Sequence, residues 1–318
     1  MPSQSRVLIT GGAGFIGSHL AEALLREGCQ VGIVDNFDDF YSPAEKHSNL
    51  EEVARVGGVR LHESDIRDVG RLQAVFEQER PDVVIHAAAR AGVRPSIEQP
   101  KLYEEVNVGG TLNLLTLSHS FGVRKFVFFS SSSVYGATAR VPFNEDHVEM
   151  RPVSPYAATK LAGELLCYTY SHLHHLSTVC LRLFTVYGPR QRPDLAIRKF
   201  ATQIERGRPI TIYGDGTTSR DYTYVEDIVA GIRAAMDCHG NFEVFNLGNS
   251  RPVKLLGLVR ALEKVMEKRA ALEFLPPQPG DVPVTWADLT KSRRLLGYRP
   301  RTPLDEGLGK FVDWLRQR

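Results

Sequence analysis

RVLITGGAGFIG, residues 6–17, decides how the rest of the chain is read. Arg6 to Thr10 is a short apolar run of the kind a strand shows when both its faces are buried. Gly11, Gly14 and Gly17 follow at even spacing, and from Phe15 to Glu27 apolar residues recur with helical period, ending at Gly28. A strand that enters a helix through such a turn suits phosphate. One glycine frees the tight turn, a second lets the backbone approach a pyrophosphate, and a third lets helix and strand pack closely, with the phosphates at the helix N-terminus. QVGIVD (30–35) reads as the next strand, and Asp35 ends it 18 positions after Gly17. A carboxylate there can accept hydrogen bonds from an adenosine ribose and would repel a 2′-phosphate. The turn is therefore read as a site for NAD rather than NADP.

Further along, VRLHESD (59–65), DVVIHAAA (82–89), KFVFFSS (125–131) and STVCLRL (177–183) read as strands, with helical stretches near 68–79, 101–121 and 156–175 between them. This alternation implies an α/β fold, a Rossmann-type doubly wound parallel sheet with helices on both faces. Asp65, after the third strand, either meets an adenine edge or serves a turn or helix cap. Ala87, Ala88 and Ala89, after the fourth, let a cofactor lie flat on the sheet edge or simply suit close packing. Beyond Leu183 turn-rich segments appear, namely YGPRQRPD (187–194), RGRPI (206–210), YGDGTTSRDY (213–222) and PPQPGDVP (276–283). Between them IRKFATQIERG and LLGLVRALEKVMEK read as short amphipathic helices, and YVEDIVAGIRAAM (224–236) as a helix returning to the first domain. The expected division is an NAD-binding domain at 1–183, with 224–248 returning to it, and a smaller α/β substrate lobe at 184–223 and 249–318. A ligand is expected in the cleft between them.

With 318 residues, 42% hydrophobic and 24% charged, the chain has the composition of a soluble globular protein of one large or two smaller domains. A net charge of +2 gives no basic footprint for nucleic acid. Cys29, Cys167, Cys180 and Cys238 are scattered without a CxxC pair, which fits a reduced cytoplasmic protein without disulfides or zinc. The N-terminus lacks the pattern of a signal peptide, and no apolar run reaches membrane-spanning length. HLHH (172–175) reads as a solvated helix face rather than a metal site, because no carboxylate or cysteine accompanies it in a recognised spacing. Asp221 and Asp227 read as hydrogen-bond acceptors joining the lobes.

SPYAATK (154–160) places Tyr156 and Lys160 four apart at the start of a helical run. Such pairs also decorate exposed helix faces. Next to a dinucleotide turn the pair has chemistry to do. With a hydroxyl from FSSSSVYG (129–136), it would converge on the nicotinamide end of NAD. A cation about 4 Å from the phenol, at an effective dielectric near 20, contributes about 4 kcal/mol, or roughly three pKa units. That would bring the phenol from about 10 towards 7, where a general base works best. Tyr156 would then take a proton from an alcohol as hydride leaves its carbon.

TGGAGFIG, VDNF, HAAA, SSSSVYG, YAATK, LRLFTVYGPR, YGDGTTSRDYTYVEDI and QPGDVPVTWAD together resemble the extended short-chain dehydrogenase/reductase superfamily, specifically its nucleotide-sugar epimerases. The resemblance covers nearly the whole chain. It implies Ser131, Tyr156 and Lys160 as the catalytic residues, with Ser132 and Ser133 as rivals for the serine position and as substrate contacts. It implies tightly bound NAD, contacted by Gly11, Gly14, Phe15, Ile16, Gly17, Asp35 and Asn36. Asp65, Ile66, Ala87, Ala88, Ala89, Asn107, Tyr156 and Lys160 complete that set. Ser132 and Ser133 are uncharged where family dehydratases and decarboxylases carry carboxylates, so C4 epimerisation is the simplest chemistry left.

FTVYGPRQRPD (184–194) is similar to UDP-glucuronate 4-epimerases, in which the Thr and the second Arg lie around the uronate carboxylate. Thr185 and Arg192 take those positions here, and a solvated loop is the other reading of Arg192. RAGVR (90–94) and QPGDVP (278–283) also resemble that group. For the nucleotide, the resemblance implies Arg220 at the pyrophosphate and Tyr213 or nearby backbone at the base. Asp281 is implied at the ribose, and Gln278, where many relatives have Arg, leaves a contact for Arg94 to supply. A UDP-glucose or UDP-N-acetylglucosamine 4-epimerase is the alternative. A decarboxylase or dehydratase, and a non-catalytic NAD sensor, stand further off. Helices 101–121 and 156–175 carry apolar residues on more than one face (Leu112, Leu115, Leu161, Leu165, Leu166), which suggests a homodimer like those of the family.

Overall fold

The computed structural model describes residues 5–137, 140–146, 150–277 and 282–318. A seven-stranded parallel sheet forms its centre. Its strands are β1 (Arg6–Thr10), β2 (Gln30–Asp35), β3 (Arg60–Glu63), β4 (Val83–His86), β5 (Lys125–Ser131), β6 (Thr178–Leu183) and a later strand, Phe242–Leu247. Between β6 and that edge strand come β7 (Thr185–Tyr187), β8 (Ile210–Tyr213) and β9 (Ser219–Tyr224), so Phe242–Leu247 is β10. Two further strands are β11 (Pro252–Lys254) and β12 (Leu272–Leu275). The main sheet runs β10-β6-β5-β4-β1-β2-β3; β11-β9-β7 and β12-β8 form two small sheets. The strand order reverses between β1 and β4, and at such a switch point the carboxyl ends of the strands open a crevice for ligands.

The helices are α1 (Phe15–Arg26), α2 (Pro43–Val56), α3 (Val69–Glu79), α4 (Val93–Glu98), α5 (Pro100–Glu104) and α6 (Gly110–Ser120). They continue with α7 (Pro155–His174), α8 (Ala196–Glu205), α9 (Val225–Met236), α10 (Leu255–Met266), α11 (Thr290–Leu296) and α12 (Leu304–Arg316). β5 is buried along its whole length, as the uninterrupted apolar run requires. β10 extends the main sheet beside β6, and α9 packs on α1.

The third strand is shorter than 59–65, because Ser64 and Asp65 already turn towards α3. The expected helix 101–121 is broken into α5, a π-turn at Glu105–Gly109, and α6. A π-turn inserts an extra residue and rotates everything after it. Within α6, Leu115 shares the buried stripe of Thr111, Leu114 and Ser118 and is fully buried, contrary to the expected second apolar face. Leu161 and Leu166 are half-buried against the core, whereas Leu112, Leu165, Tyr168 and Leu173 are exposed. Cys29, Cys167 and Cys180 are buried free thiols. No helix among the described residues is long and apolar enough to cross a membrane.

Candidate active site

The crevice is a cavity of about 490 Å³ over the carboxyl ends of β1, β2, β4 and β5. At one end lies the glycine turn. Gly11 has φ +71°, and a Cβ there would lie 2.7 Å from the Ala88 backbone nitrogen. At position 17 a Cβ would lie 2.3 Å from the Gly11 carbonyl oxygen, so the turn closes only with hydrogen at that site. Phe15, Ile16, Ala87 and Ala89 complete this wall.

Asp35 is buried at the end of β2. Its Oδ2 accepts the Ala13 N–H at 3.1 Å and its Oδ1 accepts the Phe37 N–H at 2.9 Å. Lys46 Nζ stands 3.8 Å from Oδ1. Burial pushes the Asp35 carboxyl up and the Lys46 ammonium down, each opposed by the other's charge. Asp65 and Ile66 line the same end. Asp65 accepts from the backbone and guanidinium of Arg67 and from the Asn36 amide, so it makes the turn and also borders the cavity. Asn107 lies beneath the wall, within the π-turn. Its side chain accepts from the Arg90 N–H at 2.8 Å and donates to the Arg90 carbonyl and to Thr159 Oγ1, both at 3.0 Å.

Ser131, Ser132, Ser133, Tyr156 and Lys160 line the other end. Their positions follow from local sequence. Ser154 Oγ accepts the Ala157 N–H at 3.2 Å, and Pro155 occupies the first turn of α7, where its missing N–H is harmless. Tyr156 and Lys160 thus sit one helical turn apart. Ser131 ends β5, and its Oγ accepts the Ser133 N–H at 3.1 Å. Lys160 is 4% exposed and donates to the Phe129 carbonyl at 2.7 Å, and burial lowers its pKa to about 7. The phenol differs from expectation. Burial raises the Tyr156 pKa, while a hydrogen bond with Ser131 and the charge of Arg192 draw it down. The protein-borne cation acting on Tyr156 is therefore Arg192.

Arg192 is not a solvated loop residue. With Thr185 it lines the cavity, its Nε and Nη2 donate to Asp194 at 2.9 and 2.8 Å, and its guanidinium lies 5.3 Å from the Phe40 ring centre. The nucleotide contacts are less concentrated. Arg94 stacks on Tyr213 at 4.9 Å, and Arg220 donates to the Ser219 carbonyl, but none of these three lines the cavity. Gln278 and Asp281 lie outside the described residues. Asp221 accepts the N–H groups of Asn249, Ser250 and Ala287, and Asp227 those of Arg301 and Thr302. His172 stacks on Tyr168, and His174 on His119.

Sequence reasoning named Asn36 but missed Asp38, Phe40 and Tyr41 of the loop that follows it and Lys46 of α2, all of which line the cavity. The available signal was an aromatic pair, Phe40-Tyr41, in an otherwise polar loop. Arg90 was missed as well; it forms an ion pair with Asp38 and lies 5.2 Å from the Phe40 ring centre.

The cleft has a glycine cradle at a helix N-terminus, a carboxylate at the end of β2 and a hydroxyl–phenol–amine set beyond, all of which fit a dinucleotide. The chain is similar to known proteins over nearly its whole length. The family described as NAD dependent epimerase/dehydratase matches residues 7–248. The UDP-glucuronate 4-epimerase of Thermodesulfobacterium geofontis is 43% identical over 311 residues, covering 98% of this chain and 96% of its own. UDP-glucuronate 4-epimerase 4 of Arabidopsis thaliana is 42% identical over 326 residues, covering 97% and 74%. Among solved structures, the UDP-glucuronic acid 4-epimerase of Bacillus cereus, in complex with UDP-glucuronic acid and NAD, superposes with a TM-score of 0.92 at 38% identity, covering 98% and 99%. The UDP-glucose 4-epimerase of Thermotoga maritima, with UDP-glucose, does so with a TM-score of 0.91 at 34% identity, covering 98% of each chain. From the glycine cradle to the paired tyrosine and lysine, the chain belongs to the NAD dependent epimerase/dehydratase family.

Proposed function

We propose that this chain is an NAD-dependent isomerase that inverts C4 of UDP-glucuronate to give UDP-galacturonate. The observation that carries this reading is Arg192. It stands with Thr185 in the wall that also holds Ser131 and Tyr156, where a substrate carboxylate can be gripped beside the reacting carbon. Asp194 engages Nε and one hydrogen of Nη2, so the Nη1 edge can still donate to a second carboxylate.

NAD held here would supply the group that accepts and gives back hydride and, in its oxidised form, a positive charge near the phenol. The chain's own residues handle the protons and the pose. Tyr156 takes the C4 hydroxyl proton. Ser131, held by Ser133, donates to the same oxygen. Lys160, fixed to the Phe129 carbonyl, stands at the nicotinamide end of the site, and Arg192 favours the phenolate by its charge. Arg192 and Thr185 hold the uronate carboxylate in place. This hold matters because a 4-keto uronate is a β-keto acid and tends to lose carbon dioxide. Gly11, Gly14, Gly17, Asp35 and the Ala87–Ala89 edge hold the cofactor, with the nucleotide of the substrate gripped by the lobe comprising 184–223 and 249–318. The exposed Leu112, Leu165, Tyr168 and Leu173 on α6 and α7, two helices that pack together, support a homodimer through that face, and the free thiols support a cytoplasmic setting.

Incubating the protein with UDP-glucuronate and separating the C4 epimers tests the proposal. The expected result is a mixture of UDP-glucuronate and UDP-galacturonate without accumulating NADH or carbon dioxide. Conversion of UDP-glucose or UDP-N-acetylglucosamine with UDP-glucuronate left untouched would overturn the uronate assignment.

A further inference from the structure

The cavity is also lined by a phenol that the reaction above does not use, that of Tyr41. Tyr41 Oη is buried without a hydrogen-bond partner. It lies 3.9 Å from the position a Cβ would take on Gly14, over the glycine at the helix N-terminus. Buried hydroxyls are nearly always partnered, so an orphan aimed into a ligand cleft marks a place where the ligand supplies the acceptor. Several contacts hold its segment in place. Lys46 Nζ lies 5.1 Å from the Tyr41 ring centre and donates to the Asp38 carbonyl at 2.7 Å. The neighbouring Phe40 is held between the guanidinium groups of Arg90 and Arg192, at 5.2 and 5.3 Å from its ring centre. In the first turn of α2, Glu45 pairs with Arg198 of α8 at 2.6 and 2.8 Å. Orientation of the phenol is therefore set by its neighbours before any ligand arrives.

We propose that Tyr41 is a dinucleotide-binding residue whose hydroxyl donates to the pyrophosphate of the cofactor. Resting on the NAD reading above, this assigns the strap 36–42 a direct part in retaining the cofactor. Backbone N–H groups at the start of α1 meet the phosphates from below. Tyr41 meets them from the strap, on the side that would otherwise open to solvent. Keeping the phenol protonated suits the role, since a phenolate would repel phosphate; burial raises the pKa of this group well above its ordinary value.

The test uses Tyr41→Phe in the full chain stripped of nucleotide, with NAD and ADP binding followed by calorimetry and adenosine binding by NMR titration. Phenylalanine keeps the ring and its cation contact and removes only the donor. A hydrogen bond to a charged acceptor corresponds to roughly tenfold or more in affinity. NAD and ADP should therefore bind about tenfold more weakly while adenosine binds as before. Equal affinity of variant and wild type for NAD, or an equal loss for adenosine, would overturn the proposal, the second because it would mark a merely structural role. Failure of the wild-type chain to bind NAD would overturn the cofactor reading, and the Tyr41 proposal with it.

Discussion

Replacing Arg192 by leucine separates recognition of the uronate from catalysis at C4. The guanidinium has two neighbours in the protein that bear on the outcome, Asp194 in a bidentate pair and Tyr156, whose pKa it lowers. A substrate carboxylate would meet the remaining Nη1 edge. One to two charge-assisted hydrogen bonds in a partly desolvated wall are worth about 3 kcal/mol. At 1.36 kcal/mol per factor of ten, this is roughly a 10²-fold loss in kcat/KM for UDP-glucuronate. The variant also loses a cation near the phenol, which weakens the base for every sugar alike. The informative quantity is therefore the ratio of kcat/KM for UDP-glucuronate to that for UDP-glucose, in which the common loss cancels. That ratio should fall about 10²-fold. Asp194, left without its partner, would add repulsion against the uronate alone, so Arg192→Leu combined with Asp194→Asn should recover part of the fall and no more. Steady-state kinetics on both sugars, read by separation of epimers, measures it. An equal loss on both sugars would refute the reasoning, because Arg192 would then act on Tyr156 or on the loop and not on a carboxylate.

Gly17→Ala should abolish NAD binding while leaving a folded chain, because the new methyl would stand 2.3 Å from the Gly11 carbonyl oxygen and open the turn; calorimetry with NAD, checked by circular dichroism, reads the result, and wild-type affinity would contradict it. Buried His86 supplies a pH dependence of stability. Burial lowers its pKa from 6.5 to about 3, so the unfolded chain binds the extra proton in that window. Its contribution is complete above pH 6.5 and is lost as pH falls towards 3, reaching about 2 kcal/mol by pH 5. Urea titrations at pH 7.5 and 5 should show a smaller drop for His86→Gln than for the wild type, and equal drops would contradict the assignment.

The parts of the site legible in the sequence are those set by a few consecutive residues. Gly11, Gly14 and Gly17 declare the cradle by their spacing, since a side chain at Gly11 or Gly17 would collide with the backbone of the turn or of β4's end, and Asp35 declares itself by ending a strand. Ser154-Pro155 fixes where α7 begins, and this spaces Tyr156 and Lys160 by one turn. What escaped depends on contacts between distant segments. Arg192 could be placed by resemblance, but its stacking on Phe40 and its action on Tyr156 join its loop to the strap 36–42 and to the start of α7. The strap 36–42 shows no period because its residues are held one by one: Asp38 by Arg90, Phe40 by two guanidinium groups, Tyr41 by Lys46. Leu115 was misread for a different reason. In α6 it falls at helical spacing with buried Thr111, Leu114 and Ser118, whereas Leu112 lies off that stripe and is exposed, so the two leucines do not share a face.

A hydroxyl, a phenol and an amine from separate elements must keep a fixed relation while hydride moves, and the packing behind them shows how α7 is held in register with β5. Gly163 faces Phe128 so closely that a Cβ there would lie 2.3 Å from the ring, which sets the distance between helix and strand. Lys160 donates to Phe129 and Ser130 donates to Glu164, so two side-chain hydrogen bonds tie one turn of α7 to the two residues before Ser131. Glu164 then pairs with buried Arg182 of β6 at 2.8 and 2.9 Å, and Arg182 lies 4.7 Å from the Tyr135 ring centre. A buried ion pair of this kind contributes little net stability, because desolvation offsets the attraction. Its effect here is directional. Sliding α7 along the sheet would strand a carboxylate and a guanidinium together, at about 3–5 kcal/mol for a broken buried pair. That penalty fixes Tyr156 and Lys160 relative to Ser131.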